Sequence, residues 1–178
     1  GKRYGTPVDE QGQSQQLLII AVGKLGGREL NISSDVDLIF AYPKEGEYSD
    51  SRRFYTNEQY FIKLAQKLIQ VINTQNQLGF VYRVDLRLRP FGEDGPLVMS
   101  LDAMELYYQQ HGRGWERYAL AKARVINDQA PHASALQRLL NQFAYRRYID
   151  YGIIESLRDL KAMIAKEVKS KRLENNVK

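Results

Sequence analysis

The chain has 178 residues, of which 43% are hydrophobic and 26% charged, a composition typical of a globular protein with one substantial core. It contains no cysteine, which excludes disulfides, thiolate zinc sites and a cysteine nucleophile. The formal net charge of +5 is spread along the chain, so it favours a nucleotide or phosphate ligand as much as a nucleic acid polymer. Apolar runs such as residues 17–22 are too short to span a bilayer.

The first half of the chain predicts two strands, a loop and one long helix. In order, the predicted elements are a polar leader or hairpin remnant over residues 1–16, a buried strand over 17–22, a turn at Gly26 and Gly27, a strand over 35–42 and a charged loop over 44–56. Asn57 or Thr56 caps a helix running to about Gln77, because apolar side chains recur there at helical spacing. That apolar stripe consists of Phe61, Leu64, Ala65, Leu68, Ile69 and Ile72.

The second half begins with an alternating strand and then becomes helical. Over residues 80–90 apolar positions alternate with polar ones, which include Arg83, Asp85, Arg87 and Arg89. The later predicted elements are a turn over 92–95, a strand over 96–99, a helix capped by Ser100 to about residue 110, and helices over 115–125, 133–148 and 152–171.

Strand signals cease near residues 127–131, where Asn, Asp and Pro interrupt the chain. We therefore expect a core domain over residues 17–126 and the start of a helical region over 127–178, in a fragment of a longer protein. The predicted fold class is α+β, a mixed sheet with helices followed by a helical segment.

Two aspartates lie one residue apart at the start of the second predicted strand. In an extended strand Asp35 and Asp37 point to the same face, while Val36 and Leu38 point into a core. Paired carboxylates beside a glycine-rich turn are hard oxygen ligands that suit Mg²⁺ and a nucleotide phosphate. The pattern predicts that Asp35 and Asp37 bind one or two Mg²⁺ ions.

Asp85 is the natural third carboxylate, because it lies mid-strand on the polar face of residues 80–90. If that strand lies beside residues 35–42, all three acids converge and complete a metal site. On the pattern alone, a purely structural role for Asp85 is equally open. Arg83 and Arg87 flank it, and ladders of Asp and Arg side chains are common on solvent-exposed faces of sheets.

Several neighbouring residues have suitable chemistry for phosphate. Glycines at 26 and 27 let backbone amides approach phosphate oxygens closely, and Ser34 can donate a hydrogen bond. The candidate cations for the transferred group are Lys24, Arg87 and Arg89.

Other chemistries have weaker support. The segment around Lys24 lacks the glycine spacing of a Walker loop, and His111 and His132 lack partners at metal-ligand spacing. Trp115 and Tyr118 could stack a base, although an aromatic residue on a helix face is more often part of a core.

The motifs together resemble the glutamine synthetase adenylyltransferase family, within the nucleotidyltransferase superfamily. The resemblance rests on GKLGGRELN at 23–31, SSDVDL at 33–38, DLRLRPFG at 85–92 and WERYALAKAR at 115–124, and it covers about residues 17–126. It implies a polymerase-beta-like nucleotidyltransferase fold and a cytoplasmic enzyme, with Asp35, Asp37 and Asp85 as the metal-binding acids. Family members are bifunctional: one half attaches AMP to a tyrosine of glutamine synthetase, and the other removes it by phosphorolysis under control of the PII signalling protein.

Residues 90–92, 95–100 and 107–108 are most similar to the amino-terminal, adenylyl-removing half. The resemblance therefore implies Mg²⁺-dependent attack of inorganic phosphate on tyrosine-bound AMP, releasing ADP. The implied partners are adenylylated glutamine synthetase, phosphate and ADP or ATP, with PII acting through the full-length enzyme and with no role for nucleic acid or membrane. The rivals are ATP-dependent adenylylation by the same acids, and a binding module without turnover.

Overall fold

The structure is a computed structural model that describes residues 7–31, 34–50, 53–74, 82–145 and 161. The strands are β1 (Leu18–Ala21), β2 (Val36–Tyr42), β3 (Glu47–Asp50), β4 (Arg53–Thr56), β5 (Val84–Asp85), β6 (Val98–Ser100) and β7 (Arg124–Val125). The helices are α1 (Gly23–Gly26), α2 (Asn57–Asn73), α3 (Leu101–Gln110), α4 (Gly114–Leu120) and α5 (Ala133–Ala144), with a 3₁₀ turn at Gly92–Asp94.

The sheet that positions the site is mixed and has five strands. Its central strand β2 pairs antiparallel with β1, which pairs antiparallel with β7. Along its other edge β2 pairs in parallel with β5 at its beginning and with β6 at its end. The predicted α+β class is confirmed.

The two faces of the sheet carry separate apolar clusters, because successive side chains of β2 point to opposite sides. Val36, Leu38 and Phe40 pack with α2 in one cluster. Ile39 and Ala41 pack in the other cluster, with residues of α3, α4 and α5. Since β2 is covered on both faces from Leu38 to Tyr42, it is a rigid base for the residues that precede it.

Helix α2 begins where the sequence predicted. The Thr56 hydroxyl accepts the Gln59 backbone N–H at 3.1 Å, and the Gln59 side chain accepts the Thr56 N–H, which forms a capping box. Phe61 and Ala65 are buried as expected, but Leu64 is 39% exposed and does not belong to the packed stripe.

The prediction of a charged loop over residues 44–56 is wrong for most of that range. The range contains a hairpin, in which β3 and β4 pair antiparallel from Glu47↔Thr56 to Asp50↔Arg53. Tyr48, Phe54 and Tyr55 are residues of high β propensity, a signal that the neighbouring charges obscured.

The strand predicted over residues 80–90 is also wrong in extent. Among the described residues it covers only Val84–Asp85, because the Asp85 carboxylate accepts the Arg87 backbone N–H at 2.9 Å and turns the chain. The backbone N–H of Arg89 then donates to the Leu86 carbonyl at 3.2 Å. Phe80 and Val81, at the beginning of the predicted strand, lie outside the described residues.

The helix predicted over 115–125 ends earlier, at Leu120, and residues Arg124–Val125 form β7. Gln137 of α5 fixes this short edge strand, because its side chain accepts the Val125 N–H at 3.0 Å and donates to the Ala123 carbonyl at 3.1 Å. Pairing with β1 therefore overrides the helical pattern.

The remaining predicted elements agree with the structure to within a few residues where they are described. The leader includes a bridge between Val8 and Ser14, and α3 begins after its Ser100 cap. Helix α5 packs Leu136 and Leu140 into the same cluster as β1, while the domain boundary near 127 stays a prediction. The helices predicted over 57–77 and 133–148 end earlier, at Asn73 and Ala144, since the chain leaves the helical conformation at Thr74 and Tyr145. The predicted helix over 152–171 lies outside the described residues except for residue 161. In the described ranges, no helix combines the length and apolar character that a membrane span requires.

Candidate active site

Strand pairing brings Asp37 and Asp85 side by side. The parallel register of β2 and β5 makes Val36 the partner of Val84, and Asp37 the partner of Asp85. Both valines belong to the α2 side of the sheet, so both aspartates point to the opposite face. Neighbouring strands are about 4.8 Å apart, which places the two carboxylates within mutual electrostatic reach.

Asp35 precedes β2 on the same face and is held by an arginine. The Arg83 guanidinium donates to both Asp35 carboxylate oxygens, at 2.9 and 2.6 Å. The Arg87 guanidinium also binds both carboxylate oxygens of Asp85: its Nε lies 3.1 Å from Oδ1 and 2.9 Å from Oδ2, and its Nη2 donates to Oδ2 as well. The Asp85 side chain is only 13% exposed, so its pairing with Arg87 is partly shielded from water.

The electrostatics of the three carboxylates differ. The pKa of Asp37 is raised above its ordinary value, first by burial and then by the negative charges of Asp85 and Asp35. The pKa of Asp85 is lowered, chiefly because Arg87 donates hydrogen bonds to its ionised form. Asp37 is therefore the crowded member of the group, and negative charge accumulates around it.

Gly23 allows Asp37 to occupy this position. It has a left-handed φ of +54°, and a Cβ built there would lie 2.5 Å from the Asp37 Oδ2 atom. A side chain at this residue would both strain the backbone and displace the carboxylate. The sequence reasoning missed this role; the available signal was a glycine directly after an apolar strand.

The other predicted glycines lie close by but have different surroundings. The N–H groups of Gly26 and Gly27 donate to the carbonyls of Val22 and Gly23, at 3.0 and 3.1 Å. A Cβ at Gly26 would collide with the Lys122 carbonyl oxygen, so this glycine permits close chain packing. A phosphate-binding role for Gly26 and Gly27 stays a prediction, and it has to compete with these contacts.

Of the three predicted phosphate-binding cations, Lys24 and Arg87 contact other predicted site residues, whereas Arg89 donates to backbone carbonyls. Lys24 Nζ donates to Ser34 Oγ at 3.1 Å, so these two predicted phosphate ligands lie together. Arg87 is joined to Asp85 as described above. Arg89 instead donates to three backbone carbonyls of the turn that follows β5, those of Leu86, Glu93 and Gly95, at 2.9, 2.8 and 3.2 Å.

The donor chemistry fits a hard divalent cation, since it consists of carboxylate oxygens gathered on one face. Within the described ranges, no set of three acidic, histidine or cysteine side chains is close enough to hold a metal ion directly. Asp35 and Asp85 instead form ion pairs with Arg83 and Arg87, whose positive charges neutralise the two carboxylates in place of a metal ion. The crowding of charge at Asp37 is the condition that a divalent cation relieves.

A cleft of about 520 Å³ opens beside the carboxylates, and Arg87 lies in its wall. Phe91, Tyr107, Gln110 and Trp115 also line it. Trp115 and Tyr118 are 38% and 69% exposed, so the interpretation of these two aromatics as core residues is wrong. Phe91 and Gln110 were missed, because only the folded chain brings the turn after β5 against α3.

A profile of the glutamate-ammonia ligase adenylyltransferase family matches residues 1–139. The chain belongs to this family. The family resemblance predicted from the motifs is thereby confirmed.

Within this adenylyltransferase family, a relative from Shewanella loihica (strain ATCC BAA-1088 / PV-4) is named bifunctional glutamine synthetase adenylyltransferase/adenylyl-removing enzyme. It is 51% identical over 177 residues, which cover 99% of the chain. The chain spans 18% of that relative's length. The family match includes the three aspartates, their arginine partners and the residues that line the cleft.

Proposed function

We propose that the chain carries the catalytic core of one half of a glutamine synthetase adenylylating and deadenylylating enzyme, and that this half removes AMP from a tyrosine by phosphorolysis. The observation that supports a nucleotidyl-transfer site is the β2–β5 register, in which Asp85 lies beside Asp37 on the face shared with Asp35. The choice of AMP removal over attachment rests on the resemblance of residues 90–92, 95–100 and 107–108 to the adenylyl-removing half. A purely structural ladder of Asp and Arg side chains does not require other carboxylates to lie around Asp37, whose pKa is raised first by burial and then by the charges of Asp85 and Asp35.

Asp35, Asp37 and Asp85 would hold one or two Mg²⁺ ions. The bound metal would supply Lewis-acid stabilisation of charge on the phosphoryl oxygens and on the phenolate leaving group, whose ordinary pKa is about 10. Arg87 lies between the carboxylates and the cleft, so its guanidinium can bind an anionic phosphate oxygen. Lys24 and Ser34 form a second polar pair near the same end of β2.

In the proposed reaction an oxygen of inorganic phosphate attacks the α-phosphorus of tyrosine-bound AMP. The bond from phosphorus to the tyrosine oxygen breaks, the phenolate takes a proton from solvent, and the two phosphates form ADP. No covalent enzyme intermediate is needed, and the chain's residues act by binding and orienting the two anions.

ATP-dependent adenylylation is the second candidate, because the Shewanella relative is named for both activities. It would use the same three acids with ATP as the donor and the tyrosine hydroxyl as the acceptor. A regulatory binding module without turnover is the third. The proposed partners of the longer protein are glutamine synthetase and PII, and its proposed location is the cytoplasm.

One assay distinguishes these candidates. The chain is incubated with adenylylated glutamine synthetase, inorganic phosphate and Mg²⁺, and ADP is measured; a parallel reaction contains unmodified glutamine synthetase and ATP. ADP from the first reaction supports the proposal, AMP attachment in the second alone supports the rival, and neither product with intact regulator binding supports the binding module.

Asp37→Asn and Asp85→Asn should each reduce ADP release by about 10²-fold or more, as expected for loss of a charge that stabilises the transition state. Asp102→Asn is the matched control, because Asp102 is an exposed carboxylate paired with Lys44 outside the site. Equal activity of all three variants would contradict the assignment of the acids.

A further inference from the structure

The cleft beside the carboxylates has walls that the proposed phosphate chemistry does not use. It lies between the turn after β5 and the helices α3 and α4, and its volume is about 520 Å³. Pockets for nucleotide-sized ligands range over about 300–1,000 Å³, so a nucleoside fits within it. Arg87 joins the cleft to Asp85, so a ligand in the cleft can extend toward the three acids.

Phe91 is the most unusual residue of this wall. Its backbone is left-handed, with a φ of 62°, and its side chain is 53% exposed. The ring is fixed by edge contacts with Tyr107, at a centroid distance of 4.5 Å, and by His111 at 5.7 Å. A strained backbone that presents a fixed aromatic surface to a cleft is typical of a ligand-binding position.

The polar groups of the cleft are not equivalent. The buried Glu116 carboxylate is already occupied, since it accepts hydrogen bonds from the Tyr107 hydroxyl and the Arg113 N–H, both at 2.7 Å. The Gln110 amide lines the cleft and is exposed at the end of α3. A glutamine amide offers a donor and an acceptor side by side, the pattern that matches the edge of an adenine ring.

We infer that this cleft binds the adenine ring of the adenylyl group, with Phe91 and Trp115 as its aromatic walls and Gln110 at its polar edge. The inference rests on the proposed function, because it places the base of the same substrate whose phosphate meets the three acids. A tyrosine ring of the substrate fits less well, since its oxygen is bonded to phosphorus and offers no donor to Gln110.

Trp115 provides a direct measurement, because it is the only tryptophan of the chain. Its fluorescence is titrated with ADP, with inorganic pyrophosphate and with O-phosphotyrosine. ADP should quench it saturably, while pyrophosphate and O-phosphotyrosine should not. Quenching by O-phosphotyrosine without quenching by ADP would assign the cleft to the tyrosine, and would overturn the inference.

Phe91→Leu removes the flat ring but keeps an apolar side chain. It should weaken ADP binding about tenfold or more while leaving pyrophosphate affinity, measured by calorimetry, unchanged. Leu106→Ala is the control, because Leu106 is exposed on the same helix as Gln110 but does not line the cleft. Unchanged ADP affinity in Phe91→Leu, or an equal loss in Leu106→Ala, would overturn the inference.

Failure of the inference is distinguishable from failure of the proposed function. If the chain releases ADP from adenylylated glutamine synthetase but Phe91→Leu binds ADP normally, the function stands and the adenine position is wrong. If ADP quenches Trp115 in the predicted manner but no turnover occurs with any substrate, the adenine site stands and the proposed reaction is wrong.

Discussion

The contact between Gly23 and Asp37 gives the sharpest prediction about the site. In Gly23→Ala the new Cβ would lie 2.5 Å from Asp37 Oδ2, whereas ordinary contacts of a Cβ begin at 3.4 Å. The carboxylate must therefore retreat by the difference, about 0.9 Å. Displacement of a catalytic group by about 1 Å lowers activity about 10²-fold, so ADP release should fall by that factor.

The substitution also strains the backbone, because Gly23 has a φ of +54°. An alanine in the left-handed region costs about 1–2 kcal/mol, which corresponds to a fall in Tm of about 2–8 °C for a chain of this size. Gly12→Ala is the matched control, since Gly12 has a φ of +76° and a Cβ there would meet nothing within 4 Å. It should lose similar stability without losing activity.

Both variants are compared by thermal unfolding and by ADP release, and Mn²⁺ affinity provides a readout independent of turnover. We expect Gly23→Ala alone to lose activity and metal affinity. If Gly23→Ala and Gly12→Ala lost the same stability and kept the same activity, the position of Asp37 against Gly23 would have no functional importance, and the geometric reasoning would be refuted.

Three further predictions concern the charged groups around β5. Asp37→Asn should raise Tm at pH 7, because a pKa raised above the ordinary 3.8 means that folding disfavours the ionised carboxylate. The gain should disappear below about pH 3, where the carboxyl is protonated in the unfolded state as well. A variant with the same Tm as the parent chain at pH 7 and at pH 3 would contradict this prediction. Arg87→Gln should move acid unfolding to higher pH, because it removes the main cause of the lowered pKa of Asp85. That lowered pKa contributes stability above the pKa of the unfolded state, and the stability is lost as pH falls through the pKa of the folded state. Acid titration followed by circular dichroism tests this shift. Arg89→Lys should destabilise the chain by about 1–3 kcal/mol, since a lysine cannot reach three carbonyls at once, whereas weaker phosphate binding at unchanged Tm would show that Arg89 contacts the ligand instead.

The sequence was sufficient for features that depend on local pattern. The apolar run of β1, the alternation of Asp35 and Asp37 at β2 and the Thr56 cap of α2 are each set by residues within a few positions of one another. The convergence of Asp37 with Asp85 was a conditional prediction. It depended on the pairing of two strands, which the sequence could suggest but not fix.

Features that depend on distant contacts were beyond sequence reasoning. The end of β5 is set by a hydrogen bond from the Arg87 backbone to the Asp85 carboxylate, a choice that an alternating pattern does not reveal. Strand β7 forms because β1 offers it a free edge and Gln137 binds its backbone from α5. The cleft wall at Phe91 likewise exists only when the turn after β5 meets α3.

The arrangement explains how one small sheet can hold carboxylates that repel one another. Two unit charges about 4 Å apart repel by about 4 kcal/mol at an effective dielectric of 20, which is a large fraction of the stability of a typical domain. From Leu38 onward β2 is buried against apolar clusters on both faces, so the strand cannot move to relieve that repulsion. Asp37 lies just before this buried stretch, and β5 is fixed beside it by register. The core thus holds Asp37 in an electrostatically unfavourable position, which is why its replacement by asparagine should stabilise the fold while it removes the proposed activity.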